Sequence, residues 1–593
     1  MARSEALWVG LGRADITACV EGMSMWGWGA RDNIAQGVAM PLHARAVAIA
    51  AERNESPLVV VSVELAMVSE ALRSASIERL RSGGVDIDEQ RFAMVATHTH
   101  SGPAGFSTYL WYALAGPGFS PTLLGRLADG VALAVRQAIA SLEPGRVRMA
   151  AGDIALSEPV SVNRSIKAYN RNPEVSPVPI DRADEAVSRR MTVLRFEREN
   201  GQARGLLAVF PVHGTCVHAD NQLLHPDNMG VAAQALEAHA AREGERDFVA
   251  VFAQESAGDV SPNYRYCKRR GLMIGRYDDD FESAAWNGGI LARAAAQLLE
   301  SASSAPALEA RLSGALHYRA VDEHAADADL LPAGMSRDRA GAAELGFDFA
   351  LGTAEGPGPF ALLPSLAARA LQQAIARFSA DPDPRQQPKI GMFRLGNGVQ
   401  DRVAGRLAWR QLAKLLKADR RMSYYLAAMD GPATSQLPWV PHVLPFQVLC
   451  IGEFAAGLVP FEPTTVAGQR LRRGLASTLG PGSSPVVIGY ANAYASYLCT
   501  PEEYDEQGYE GASTLFGRAS LPVVATLLRG VARQLAHRTG GSLADARSNR
   551  PAEPQLPHVD GFFGRARAGL ERFDATGRFR PPPRSALSIG GRR

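Results

Sequence analysis

Residues 92–103 read "FAMVATHTHSGP". A short apolar run bounded by turn residues reads as a buried strand. Side chains alternate along a strand, so His98 and His100 are expected on one face and Thr97 and Thr99 on the other, with Gly102 and Pro103 ending the strand. Two imidazoles at a strand end can share a metal ion. Alternatively one holds it while the other moves protons, or both simply hydrogen-bond at a core edge. The stretch alone leaves all three open, although the chain has only twelve histidines in 593 residues.

Working outward, strand-like runs alternate with helical ones. "PLVVVSVEL" (57–65) precedes "SEALRSASIERLRS" (69–82), and "RFAMVATH" (91–98) precedes "LLGRLADGVALAVRQAIASL" (123–142). "GLLAVFPVH" (205–213) is followed by "MGVAAQALEAHAARE" (229–243), and "DFVAVFAQ" (247–254) by "GGILARAAAQLLESA" (288–302). This succession predicts an α/β fold: one large layered domain around a central, substantially parallel or mixed sheet. Residues 155–190 read as a long surface excursion of the kind that often carries function, and 318–390 as an irregular insertion. From about residue 538 the composition turns to Arg, Gly and Pro. The expected division is a catalytic domain over 1–537 and an irregular or docked tail over 538–593.

Composition excludes several function classes. The chain is 46% hydrophobic and 21% charged, with net charge +2. Nothing in that balance argues for nucleic acid as a partner. No apolar run approaches a membrane span, so a transmembrane segment is not expected, while transient membrane-surface contact stays open. The N-terminus lacks a charged-then-apolar leader, giving an expectation of a cytoplasmic protein, or a secreted one if a leader has been removed. The cysteines (Cys19, Cys216, Cys267, Cys450, Cys499) form neither a CxxC pair nor a disulfide framework. Oligomeric state is not readable.

Five apolar runs end in residues that bind metal or move protons. "FAMVA" runs into His98 and His100, "LLAVFPV" into His213, and "FVAVFAQ" into "ESAGDVSPN" with Asp259 and Ser261. "FAAGLVP" runs into Glu462, and "PVVIGYANAYASY" leads to Tyr497. The ends of α/β strands are where rigid scaffolds present sites. Two imidazoles and a carboxylate from separate strands suit one catalytic Zn2+ with an open position. Such an ion lowers the pKa of bound water to about 7 and needs a proton shuttle and oxyanion donors beside it. His100 has the chemistry for the first role, and an arginine or tyrosine for the second.

At this point the residues resemble a family. "GRADIT" (12–17), "ATHTHSGP" (96–103), "VNRS" (162–165), "FPVHGT" (210–215), "GDVSPN" (258–263), "PTTVAG" (463–468) and "YEGAST" (509–514) occur in the order seen in neutral (non-lysosomal) ceramidases. "FALGTAEGPG" (349–358) and "EEYDEQGYEGAST" (502–514) also resemble segments of that family, and the likeness spans roughly residues 7–530. The resemblance implies zinc-dependent hydrolysis of the amide bond of ceramide, releasing a sphingoid base and a fatty acid. Carried over by motif, it implies His98, His213, Glu462 and Tyr497 as metal ligands, with Tyr497 matched in "AYASYL" rather than Tyr494. His100, Arg164, Ser261 and Tyr509 match the remaining active-site positions.

Each residue also has a plainer reading. Arg164 would brace its loop against carboxylates, Ser261 before Pro262 would cap a turn, and the two tyrosines would be core residues. Ser261 lacks a GxSxG elbow, so contact with substrate or water is expected rather than serine-hydrolase nucleophilicity. His218 and His225 match no family position and are expected to have local roles. The chain departs from the family at Phe461, where glycine is usual, at Pro463, and in "QESA" ahead of "GDVSPN". It is also expected to lack the family's C-terminal immunoglobulin-like sandwich. "GFSTYLWYALAGPGF" (105–119) would line a slot for a lipid chain or be a buried helix start. The expected substrate is a lipid or other long-chain N-acyl amide. The alternatives are a zinc hydrolase of small non-lipid amides and a non-catalytic lipid-binding homologue. Turnover of long-chain against acetyl amides separates the first, and metal stoichiometry the second.

Overall fold

The computed structural model describes residues 6–536 apart from 19–22, 31, 117, 337, most of 359–382, and 397–438. The expected tail (538–593) and Cys19 lie outside the described residues. Cys216, Cys267, Cys450 and Cys499 are free thiols.

Twelve strands of five or more residues build two sheets. The larger contains β1 (Leu7–Asp15), β2 (His43–Ala50), β3 (Leu58–Val63), β4 (Phe92–Ala96), β5 (Glu143–Asp153), β6 (Arg190–Arg198), β7 (Ala203–Phe210) and β8 (Val249–Gln254). Its spatial order is β8-β7-β6-β5-β1-β2-β3-β4. The smaller contains β9 (Leu312–Ala320), β10 (Val443–Ile451), β11 (Phe454–Leu458) and β12 (Ser484–Ile488), paired in that order.

The two sheets stack face to face. Val47, Ile49, Leu58, Val60, Leu194 and Leu207 of the larger meet Leu449, Ile451, Phe454, Ala456 and Ile488 of the smaller. The outer face of the larger sheet carries α1 (Glu70–Ser82), α2 (Pro121–Ala140), α3 (Asp227–Arg242) and α4 (Asp280–Ser303). The outer face of the smaller carries α5 (Thr465–Leu479) and α6 (Ser520–Ala536). Val59, Val61 and Val63 face helices while Leu58 and Val60 face the second sheet. A strand covered on both faces is apolar throughout, which is why "PLVVVSV" shows no alternation. Each fully buried aliphatic side chain contributes about 1.5–3 kcal/mol of transfer free energy. The helices start where the chain supplies a cap: Ser69 accepts from Leu72 N, and Ser120 from Leu123 N with Pro121 following.

Of the two sheet forms expected, the larger sheet is mixed. From β7 through β3 every neighbour is antiparallel, and the parallel pairs β8–β7 and β3–β4 sit at its two edges. The smaller sheet has one parallel pair, β11–β12. A parallel pair puts two C-terminal strand ends on the same side, so these three pairs are the natural sources of a composite site. They are brought together because the large sheet curls. Ser62 on β3 donates to Phe252 O on β8 at 2.6 Å, and Gln254 Nε2 donates to Thr97 O at 2.9 Å. The loop after β12 closes the remaining side: Ala491 bridges Val95, and Asn492 Oδ1 accepts from Met94 N at 3.0 Å.

Candidate active site

The first strand-end differs from its expected geometry. β4 stops at Ala96, and His98 has a left-handed φ of 66°. The two histidines are therefore not presented by strand alternation. The backbone turns at His98, whose N–H donates to Leu65 O at 2.9 Å, and Thr99 then pairs with Gly214 while His100 N–H donates to Gly214 O at 3.0 Å. Strand-like pairing resumes with the His213 segment instead of the parent sheet. Four of the six non-glycine residues with positive φ among the described residues (His98, Tyr490, Asn492, Ser496) lie in the turns that build this centre. Sparsely populated backbone of this kind clusters at functional sites.

His98, His100 and His213 form a buried group whose ring nitrogens could hold a metal ion. His98 Nε2 lies 3.0 Å from His100 Nε2, and Glu462 Oε2 lies 3.3 Å from both His98 Nε2 and His213 Nε2. The donor set fits a cation. His98 Nδ1 faces Ala66 O, and His213 Nδ1 faces Ala257 O at 2.6 Å. A carbonyl only accepts, so both Nδ1 atoms carry the proton and both Nε2 atoms offer lone pairs toward the carboxylate. Three acceptors converging on one point, each oriented from behind, is the arrangement of an oxygen/nitrogen metal site.

Glu462 is held by two phenols: Tyr490 OH donates to Oε2 at 3.1 Å, and Tyr494 OH donates to Oε1. Burial lowers the pKa of His213, and lowers that of His100 strongly, with the neighbouring imidazoles adding to the effect on His100. Glu462 is in place because a two-residue strand, Glu462–Pro463, pairs with Tyr497–Leu498. Phe461 is fully buried against Phe516, with ring centroids 6.3 Å apart.

The other expected residues surround this centre. Tyr497 OH is 3.4 Å from His213 Nε2 and accepts from Arg164 Nη2 at 3.0 Å. The Arg164 guanidinium also donates to Glu510 Oε1 at 2.9 Å, Glu355 Oε1 at 2.6 Å and Gly258 O at 2.8 Å. It lies over the rings of Tyr497 and Tyr509, 5.8 and 5.6 Å from their centroids. Tyr509 stacks on Phe349 at 5.5 Å, and burial pushes its hydroxyl pKa far up. Ser261 Oγ accepts from Asn263 N at 3.0 Å, the turn-capping contact, and donates to Glu355 Oε2. All eight expected residues thus belong to one group, with Arg164 and Tyr509 half-buried and the other six buried.

His218 and His225 have local partners: His218 Nδ1 meets Asp280 Oδ1 at 3.0 Å, and His225 Nδ1 accepts from Asp227 N at 3.0 Å. His218 also stacks on Trp28, whose edge meets His100 with centroids 5.0 Å apart. Within 105–119, Trp111 packs on Phe393 and Tyr112 on Tyr494, so the segment is core beside the site.

Several residues escaped sequence reading. Tyr490 and Tyr494 brace Glu462, and Glu355 and Glu510 brace Arg164. Asp259 accepts from Asn163 Nδ2 at 2.7 Å and from Thr465 N at 2.8 Å, tying the Arg164 segment to the Glu462 segment. From sequence Asp259 reads as a strand-end residue able to bind metal or move protons, not as this tie. Glu355 and Glu510 lie inside the motifs "FALGTAEGPG" and "YEGAST", Glu355 beside Gly356 and Glu510 between Tyr509 and Gly511.

The profile of the family described as neutral/alkaline non-lysosomal ceramidase, N-terminal, matches residues 7–402 and 413–526. A neutral ceramidase of Pseudomonas aeruginosa is 32% identical over 515 residues, covering 86% of this chain and 69% of that protein. One of Mycobacterium tuberculosis is 31% identical over 539 residues, covering 86% and 74%. Among solved structures, a ceramidase complexed with C2 superposes with a TM-score of 0.73 at 28% identity, covering 92% of this chain and 78% of that one. The crystal structure of the neutral ceramidase from Pseudomonas aeruginosa gives 0.72 at 26%, covering 94% and 78%. With the match running through every strand that feeds the histidine centre, this chain belongs to the neutral/alkaline non-lysosomal ceramidase family.

Proposed function

We propose that the protein is a zinc-dependent amidohydrolase. It cleaves the N-acyl amide bond of ceramide or a related long-chain N-acyl lipid to a sphingoid base or amine and a fatty acid. The observation that carries this reading is the 3.3 Å approach of Glu462 Oε2 to the lone-pair nitrogens of both His98 and His213, in a chain of this family. His98, His213 and Glu462 would hold the zinc, with Tyr497 at the edge of the same group. When bound, zinc supplies Lewis-acid polarisation and lowers the pKa of water to about 7.

The chain's own residues supply the rest. His100, kept neutral by burial, accepts a proton from water and returns it to the leaving nitrogen. Arg164, fixed as a cation between two carboxylates, and the Tyr509 hydroxyl, held protonated by burial, are donors for charge developing on the amide oxygen. Ser261 contacts substrate or water as a polar group. We further propose residues 1–537 as the catalytic unit. Among the described residues no helix is long and apolar enough to cross a membrane.

The test is mass-spectrometric product analysis after incubation with a panel of N-acyl lipids and acetyl amides of the same amines. Release of fatty acid from long-chain amides, with loss of activity on chelation and recovery with zinc, is the expected result. Preferential cleavage of acetyl amides would reject a lipid substrate, and full activity without metal would reject the mechanism.

A further inference from the structure

Glu355 sits at the tip of a tight loop and is only 3% exposed. The loop closes on itself: Gly352 bridges Pro357, and Thr353 N donates to Gly356 O at 2.9 Å. Its glycines are dictated by close approach. Gly352 has φ 73°, and a Cβ there would fall 2.2 Å from Gly358 N, while a Cβ on Gly356 would fall 2.6 Å from the Trp28 ring. The loop is thus pressed between the wall of the site and its own backbone, with one carboxylate turned inward.

That carboxylate is fully used. Oε1 accepts from Arg164 Nη1 at 2.6 Å. Oε2 accepts from Asn263 Nδ2 at 2.7 Å, from Thr215 Oγ1 at 3.3 Å and from Ser261 Oγ. The donors come from three separate segments, around residues 164, 215 and 261–263. One of them is two residues beyond His213. Arg164 has a second carboxylate in Glu510, whose other oxygen accepts from Ser165 Oγ at 2.6 Å in Arg164's own segment. Among the described residues, Glu355 is the carboxylate that ties Arg164 to Ser261. Because Ser261 donates its proton to Glu355 and accepts from Asn263 N, its rotamer and the direction of its free lone pair are set by Glu355.

We propose that Glu355 is a positioning residue for the reaction: through one buried carboxylate it holds Arg164 and Ser261 in a single fixed relation and docks them to the His213 segment. This rests on the amidohydrolase reading for its effect on turnover, but not for its effect on Arg164 itself. Misplacement of a reacting group by about 1 Å can cost on the order of 10²-fold in rate without abolishing binding. Loss of the carboxylate should therefore act on kcat.

The test uses the full chain and the variants Glu355→Gln, Ser261→Ala, their double, and Gly356→Ala, which displaces the loop tip against Trp28 while keeping the carboxylate. Metal content, melting temperature, kcat and KM on a long-chain N-acyl amide are measured for each. Glu355→Gln should keep the wild-type metal content, change KM by less than about 3-fold and lose kcat by on the order of 10²-fold. The double should be no slower than about twice its slower single, because both substitutions break one unit. Gly356→Ala should shift kcat in the same direction by less. Multiplicative losses in the double, an unchanged kcat in Glu355→Gln, or metal loss in proportion to activity would overturn the proposal. Arg164 reactivity toward phenylglyoxal, read by peptide mass spectrometry, is measured in parallel and needs no turnover. Labelling should be at least about 10-fold faster in Glu355→Gln, the gain expected when one of two anchoring carboxylates is lost. Equal labelling overturns the proposal even if the wild type proves to hydrolyse no amide, whereas an inactive wild type with accelerated labelling rejects only the function.

Discussion

Gly27→Ala displaces His100, the histidine proposed to move the proton, without changing its chemistry. Gly27 has φ 124°, and a Cβ on it would lie 2.4 Å from His100 Cγ, 2.5 Å from Nδ1 and 2.8 Å from Cδ2. Ordinary carbon contacts begin near 3.4 Å, so either the imidazole or the backbone must retreat by about 1 Å. The unfavourable φ adds on the order of 1–3 kcal/mol of backbone strain, felt as lower stability. An error of about 1 Å at a reacting group costs on the order of 10²-fold in rate, while outright removal of a general acid–base costs about 10²–10⁴-fold. Gly27→Ala should therefore approach His100→Ala in kcat while both keep their metal. His98→Ala, which removes a lone pair facing Glu462, should lose metal and activity together. The assay is zinc content by elemental analysis beside steady-state kinetics on a long-chain N-acyl amide for all three variants. Wild-type kcat in Gly27→Ala would show that the placement of His100 does not limit the reaction. Equal metal loss in His98→Ala and His100→Ala would make both imidazoles ligands and move the proton role elsewhere, with Tyr509 a candidate.

His213→Ala should lose metal and activity together, and a full metal complement in that variant would remove His213 from the ligand set. Tyr494→Phe deletes one of the two phenols on Glu462, and metal affinity measured by competition with a chelator should fall about 10–100-fold with little change in melting temperature; unchanged affinity would make the phenol a packing group only. Asp280→Asn breaks the buried pair with His218 and should destabilise the fold by about 3 kcal/mol near pH 5.5, by denaturant titration. Burial acts to lower His218, but the Asp280 hydrogen bond and charge outweigh it and raise the pKa above 6.5. Burial acts to raise Asp280, but His218 and Arg270 bring it down to about 2 from 3.8. The His218 contribution is complete below 6.5 and disappears as pH rises through its raised value, while that of Asp280 is complete above 3.8 and disappears toward pH 2. The stability gap between wild type and Asp280→Asn should thus be widest between these limits and narrow above neutral pH. A gap constant from pH 5 to pH 9 would contradict the pairing.

The layered α/β architecture was legible because each strand covered on both faces leaves a continuous apolar run and each long helix leaves a capped amphipathic one. Sheet direction was less so. Strand-then-helix succession is the signature of parallel crossovers, yet the run from β7 to β3 is antiparallel throughout. The succession held where it mattered, since "PLVVV" with "FAMVA" and "LLAVF" with "FVAVF" are the parallel edge pairs. This is why strand ends point to His98, His213 and Ser261 even though the sheet as a whole is mixed. His98 and His100 are neighbours, as alternation on one face expects, but a turn rather than a strand brings them together. Alternation assumes extended backbone, and a single left-handed residue at 98 replaced it.

The bracing groups were out of reach for a different reason: sequence separation. Glu355 stands 191 residues from Arg164 and Glu510 stands 346. No periodicity connects such positions, and a buried carboxylate looks like any other glutamate until its partners are seen. Arg164 illustrates the consequence. From sequence, bracing a loop and acting on substrate are alternatives, but an arginine with four anchored donors is able to do both. A cation buried in a protein interior persists only if paired. An oxyanion donor also works best when it need not reorganise during the reaction. The carboxylates that make Arg164 look structural are therefore what the functional reading requires.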